Sequence, residues 1–299
     1  MRNVFALLFT IAILLNACKE TPEIKVENEI SNVSKAPSSF TEASNDALLK
    51  YLNFADTADF QNAGKGFMGT IPSGEILQAD GSMSYSMKEF DFLKENTPNT
   101  ANPSLWRQSK LNSMNGLFQV ADNIYQIRGF DLANMTLIKG KTGWLIIDPL
   151  TVPTTAKAAM QLVKEKIGDF PVKALLLTHS HIDHFGGMRA FVSEQELKSG
   201  KVKVIAPAGF FEHSISENVM GGNTMGRRAA YMYGSLLPKS TTGSLGSGLG
   251  TTTSHGETGI LEPSDFISKE NGESRTIDGV KIDFIYTPES EAPAEMMFY

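Results

Sequence analysis

An apolar run, Val172-Lys173-Ala174-Leu175-Leu176-Leu177, leads without a break into Thr178-His179-Ser180-His181-Ile182-Asp183-His184-Phe185-Gly186-Gly187. The run is short, continuous and apolar on both faces, which predicts a strand buried from both sides. Its carboxyl end must then carry three imidazoles and a carboxylate on a tight loop instead of spreading them around a helix. Imidazole and carboxylate donors together suit a borderline ion such as zinc. His179 and His181, one residue apart, can grip one ion, while Asp183 and His184 can turn toward a second. Two ions about 3.5–4 Å apart make a hydrolytic centre that activates water and steadies a leaving oxygen. Gly186-Gly187 lets the backbone pass close to the site ahead of a helix predicted near 188–198. Only five histidines occur in 299 residues, so three in one loop are a poor match to chance.

Composition excludes some partners. With 41% hydrophobic and 20% charged residues the chain reads as globular. A net charge of −6 and the lack of any long Lys or Arg run argue against nucleic acid, which demands basic clusters. The start is a separate segment: Met1-Arg2-Asn3, then Val4 to Leu15, apolar apart from Thr10, then Asn16-Ala17-Cys18. That run is too short to span a bilayer comfortably and predicts a lipoprotein export signal over 1–17, with Cys18 receiving the lipid. A plain secretory signal is the alternative. The expected location is periplasmic or on the outer membrane, with membrane contact only through the lipid on Cys18. Cys18 is the only cysteine, so no internal disulfide can form.

Residues 18–44 read as a flexible tether, with helical periodicity from Ala43 to Phe54. Residues 45–116 carry many turn formers and are expected to wrap over the main domain, 117–299. There, strands are predicted at 117–120, 124–128, 135–139 and 144–147, a helix at 154–167 and another strand at 202–206. Strands first, then strand–helix alternation, describe an α/β sandwich of sheets with helices outside. Asp148, at a strand end, either orients a histidine ligand or caps a turn. Residues 212–234 look helical, and His213 and Glu217 share a face as a solvated pair or as added ligands. Arg227-Arg228 could hold an anion or simply face water, and Tyr231-Met232-Tyr233 reads as packing. The Gly/Ser/Thr tract 241–259 is expected to be a mobile loop over the site, with His255 exposed. A hairpin is predicted over 274–287, turning at Asp278-Gly279.

The H-x-H-x-D-H spacing after an apolar strand resembles the signature of the metallo-β-lactamase superfamily. Three further segments occur in order: Gly186-Gly187-Met188, 215–234 (ISENVMGGNTMGRRAAYMYG) and 287–296 (TPESEAPAEM). With them the chain, from about Leu49 onward, resembles the alkyl-sulfatase branch, including enzymes that hydrolyse dodecyl sulfate. The resemblance implies an αββα sandwich with two zinc ions at one edge, one on His179 and His181, the other on Asp183 and His184. It also implies that Glu291 completes a metal shell, with Glu295 as the competing choice. Family members continue past this sequence with a second metal-binding glutamate, a further histidine, an arginine-containing sulfate site and two more domains, one of them for dimerisation. Ending at Tyr299, the chain is therefore expected to be a partial sandwich, incomplete at its C-terminus, with little activity and no dimer of its own. The expected function is zinc-dependent hydrolysis of linear alkyl sulfates to alcohol and sulfate. Alternatives are another hydrolase of this fold (lactonase, thioesterase or β-lactamase) or a non-catalytic surface lipoprotein with a degenerate metal loop.

Overall fold

The fold is seen in a computed structural model that describes residues 36–299. The signal read at 1–17, Cys18 and most of the tether read at 18–44 lie outside the described residues. Helix α1 (Ser39–Leu48) and helix α2 (Ala58–Gly64) precede strand β1 (Phe67–Gly69), the hairpin β2 (Glu75–Leu77) and β3 (Met83–Ser86), and helix α3 (Pro103–Asn112). The first helix lies earlier than the periodicity of 43–54 suggests, because the Ser38 side chain accepts from Thr41 N and starts it there. β1 pairs with the first strand of the main domain, so the N-terminal segment is part of the sheet as well as a wrapping.

The main domain runs β4 (Gly116–Ala121), β5 (Ile124–Arg128), β6 (Met135–Lys139), β7 (Trp144–Ile147), α4 (Pro153–Lys166), β8 (Val172–Leu176), α5 (Glu194–Lys198) and β9 (Lys203–Pro207). After these come α6 (Phe210–Ile215), α7 (Gly222–Tyr233), β10 (Asp265–Ile267), β11 (Glu273–Ile277), β12 (Val280–Tyr286) and β13 (Met296–Phe298). One sheet has the order β1-β4-β5-β6-β7-β8-β9-β10, antiparallel up to β7 and parallel from β7 to β10. A second, antiparallel sheet has the order β11-β12-β13.

Side-chain alternation assigns the two faces of the large sheet. Trp144, Ile146, Leu175 and Leu177 join Ala159, Leu162 and Val163 of α4 in one core. Leu145, Ala174 and Leu176 point the other way, against Ile277, Ile282, Phe284 and Met296 of the small sheet. The result is a layered helix–sheet–sheet sandwich. All of β8 from Ala174 is fully buried, which explains its unbroken apolar sequence. Each such leucine contributes about 1.5–3 kcal/mol by leaving water. Within the small sheet Asp278 (φ 46°) and Gly279 (φ 84°) form the expected hairpin turn. Asp278 also accepts from Thr142 N and Gly143 N, tying that hairpin to the β6–β7 turn.

Two helix expectations need correction. Residues 188–198 form a single turn, Met188–Ala190, and the separate helix α5. The break falls at Ser193, whose side chain caps α5 in a reciprocal arrangement with Glu196. Residues 212–234 are likewise not one helix: α6 passes through a π-turn, Ser216–Met220, and α7 starts after it at Gly222. Helix α7 ends at Gly234, whose φ of 60° suits a left-handed cap.

Candidate metal centre

Ligand-type side chains gather at the carboxyl ends of β7 and β8, where parallel strands open their crevice. Asp148 follows β7 directly, and its φ of 54°, with 65° at Leu150, marks a strained passage beside the site. The ligand loop follows β8 and is pressed onto that passage. A Cβ on Gly187 would stand 2.1 Å from Pro149 O, and one on Gly186 2.2 Å from Thr151 O. Only glycine fits at either position.

His179, His181 and Glu291 each offer one ligand atom, and the three atoms lie within 4.8 Å of one another. Glu291 Oε1 is 4.0 Å from His179 Nε2 and 3.8 Å from His181 Nδ1. Glu295, the competing acid, instead turns back to accept from Glu291 N and Ala292 N, so it shapes the loop that presents Glu291. Beside this trio the His179 and His184 rings are 4.0 Å apart at their centroids, and His184 Nε2 is 3.3 Å from Asp183 Oδ2. All five residues picked out from the sequence are thus brought together. His213 is exposed and stands outside the trio, whereas Glu217 comes within 3.9 Å of His181 Nε2. The pairing of His213 with Glu217 as joint ligands is therefore not what the fold builds.

Hydrogen bonds set the tautomers. Asp148 Oδ1 accepts from Thr178 N, and Oδ2 accepts both the Thr178 hydroxyl at 2.7 Å and His184 Nδ1 at 2.8 Å. With its one proton given to Asp148, the Thr178 hydroxyl accepts from His179 Nδ1 at 2.9 Å. The Nε2 of His179 and of His184 are then the nitrogens turned to the site. Of the two readings of Asp148, the structure takes the one that orients histidines.

The electrostatics agree with a cation site. Burial pushes the His179 pKa down, and the neighbouring His184 pushes the same way. Burial also works against a charged His184, yet its hydrogen bonds to Asp148 and Asp183 outweigh it and push the pKa up to about 10. Burial alone would raise the Asp183 carboxyl, but its contact with His184 holds it low. Among the described residues His179 Nε2 is buried without a hydrogen-bond partner, a costly arrangement for a ring nitrogen. A metal ion is the group that such a nitrogen, flanked by another imidazole and a carboxylate, fits.

The centre opens into a cleft of about 660 Å³, walled by α7, the π-turn and the loop 247–253. Its wall is mixed: Met225, Met232 and Leu249 are apolar, while Arg228 and Lys239 bring positive charge. Tyr233 also lines it, and burial together with the nearby Asp183 carboxylate raises its pKa, keeping the phenol a proton donor. Nothing in the local pattern of Tyr231-Met232-Tyr233 separates a cleft tyrosine from a core one, so the packing expected there does not hold for Tyr233. The Gly/Ser/Thr tract does border the site, and it is anchored there. Buried Asp131 accepts from Ser254 N, Thr151 N and the hydroxyls of Thr151, Thr155 and Ser254. His255 is exposed, as expected.

This strand-end loop in a two-sheet sandwich defines a class, and residues 128–286 match the profile of the Metallo-beta-lactamase superfamily. The chain belongs to that superfamily, whose name implies metal ions. Within it, the chain is 50% identical over 271 residues to a linear primary-alkylsulfatase of Pseudomonas sp., covering 90% of this chain and 40% of the relative. It is 44% identical over 253 residues to an alkyl/aryl-sulfatase of Saccharomyces cerevisiae, covering 84% of this chain and 39% of the relative. The solved structure of the inverting sec-alkylsulfatase Pisa1 from Pseudomonas sp. superposes with a TM-score of 0.85 at 42% identity, over 89% of this chain and 42% of that one. The chain spans about 40% of the length of the curated relatives it matches.

Proposed function

We propose that the protein hydrolyses linear alkyl sulfate esters, dodecyl sulfate among them, at a centre of two zinc ions. The observation that carries this reading is His179 Nε2, buried and unpartnered among the described residues, beside a cleft lined by His181, Asp183 and Glu291 together with apolar side chains, Arg228 and Lys239. It is supported by the 50% identity to a linear primary-alkylsulfatase. Zinc held by His179, His181 and Glu291, and by Asp183 and His184, would supply water of lowered pKa and neutralise charge on the ester. The chain's own residues do the rest. Asp148 keeps the lone pairs of His179 and His184 directed inward. Arg228 and Lys239 attract the anionic head into the cleft. Met225, Met232 and Leu249 offer the alkyl tail a surface out of water. The Tyr233 hydroxyl, held protonated, donates a hydrogen bond toward the sulfate oxygens.

Elemental analysis of the whole protein should find bound zinc after careful purification, and parallel assays on it should favour dodecyl sulfate over a lactone and a β-lactam. Protein devoid of transition metal would refute the reading. Oxygen-18 tracing into alcohol or sulfate then decides which bond breaks. From residues 1–18 we also infer export with a lipid on Cys18; mass spectrometry of the mature N-terminus checks it, and an unmodified Cys18 counts against it.

A further inference from the structure

Two of the three ligand-loop imidazoles have one nitrogen engaged by the protein and the other turned to the site. His184 donates Nδ1–H to Asp148, and His179 donates Nδ1–H to Thr178, itself bound to Asp148. His181 is oriented the other way round. Its Nδ1 faces Glu291, on the side shared with His179 Nε2, so Nδ1 is its ligand atom. Its Nε2 then carries the proton and points outward. What it meets there is Glu217, with Oε1 at 3.9 Å.

Glu217 reaches that place through an unusual piece of backbone. It lies in the π-turn Ser216–Met220, a conformation that is rare and concentrated at functional sites. Ser214, three residues earlier on the same side of the helix, is buried, and its hydroxyl lies 3.5 Å from Ser180 O, the carbonyl between His179 and His181. Asn218 Nδ2 donates back to Ser214 O, bracing the turn. The segment is thus registered against the ligand loop itself. Both the Glu217 and His181 side chains are mostly shielded, at 24% and 32% exposure. His213, the pairing partner that helical spacing alone offers Glu217, is exposed. A separation of 3.9 Å is longer than a hydrogen bond. A carboxylate shift of about 1 Å closes it.

We propose that Glu217 is the positioning residue of His181: its carboxylate accepts Nε2–H and so keeps the Nδ1 lone pair on the metal shared with His179 and Glu291. The inference rests on the metal centre proposed above. Glu217 also lines the cleft, as His181 does, so the residue that fixes this ligand is itself open to an entering substrate.

The test is a zinc titration of the full chain against a chromophoric chelator, repeated with cobalt(II) to read the visible ligand-field spectrum. The variants are Glu217→Ala, Glu217→Gln and, as a control on the exposed side of the same segment, Glu212→Ala. Glu217→Ala should weaken zinc about 10–100-fold and alter the cobalt spectrum. Glu217→Gln retains an oxygen that accepts an N–H and should stay close to wild type, as should Glu212→Ala. Glu217→Ala binding as tightly as wild type overturns the proposal. So does Glu217→Gln binding as weakly as Glu217→Ala, because charge or direct ligation would then be the role. Wild-type protein that takes up neither metal overturns the metal reading itself, and this inference with it.

Discussion

The ligand loop and the cleft wall face each other across a few ångströms but are built on different physical terms. The loop 178–187 is buried and pinned to the end of β7. Asp148 holds the His184 ring directly and the His179 ring through the Thr178 hydroxyl, and two glycines sit where no side chain fits. The wall around α7 leaves large apolar groups in water: Tyr231 is 93% exposed, Leu236 86% and Leu249 68%. The wall loop is tied down at separate points, Ser254 to Asp131, Thr251 to Tyr85 and Gly248 O to Asn112, with Leu249 left in water between them. A rigid floor suits an ion that tolerates little error in ligand placement, while a loosely packed apolar wall suits a tail without fixed shape. On the proposed function, chemistry and fit would fall to separate elements.

The largest effect should come from the floor. His181→Ala should lower zinc affinity by more than the roughly 10–100-fold expected for loss of an outer hydrogen-bonding partner. Equilibrium dialysis measures it, and an affinity near wild type would break the assignment of this loop. Asp148→Asn should come next, at about 10–100-fold in the same assay, since asparagine tolerates the positive φ but misplaces a proton beside His184 or Thr178. A change confined to melting temperature, with affinity intact, would make Asp148 a structural residue only.

On the wall, Met232→Ser should leave stability within about 0.5 kcal/mol and zinc affinity unchanged, because the side chain is already 56% exposed. Its effect should fall on KM, and more on long than on short alkyl sulfates. Equal loss for all chain lengths would erase the division between floor and wall. The smallest effect is expected far from both, at the hairpin turn. Hydrogen bonds from Thr142 N and other groups of the β6–β7 turn hold the Asp278 carboxyl below its ordinary value. A depressed acid stabilises above its unfolded pKa of about 3.9 and loses that contribution as pH falls through the lower folded value. Asp278→Asn keeps the turn chemistry, so its melting temperature should trail wild type at neutral pH and converge with it below about pH 4. A gap that widens in acid would show the sign to be wrong.

Much of this was legible in the chain. The β8 run announced a doubly buried strand, and the loop after it named four candidate ligands, because ligand type and spacing are local properties. Asp278-Gly279 announced its turn for the same reason. Other features were not local. Ser193 and Glu196 carried a capping signature inside what periodicity alone read as one helix. The π-turn at Ser216–Met220 has no signature in residue spacing, so Glu217 looked like the partner of His213.

By itself, then, the sequence determined the strand, the turn and the identity of the candidate ligands, since each depends on neighbours a few residues apart. Only the tertiary structure decided which nitrogen each histidine presents, and which glutamate, Glu291 or Glu295, faces the rings. It alone brought Glu217 and Tyr233 to the same cleft and set Asp148 behind the ligand loop. Those choices depend on hydrogen bonds and approaches between segments tens of residues apart, such as Asp148 with His184 and Glu291 with His179. The first exists only once β7 and β8 have paired, and the second only once the small sheet has packed against them.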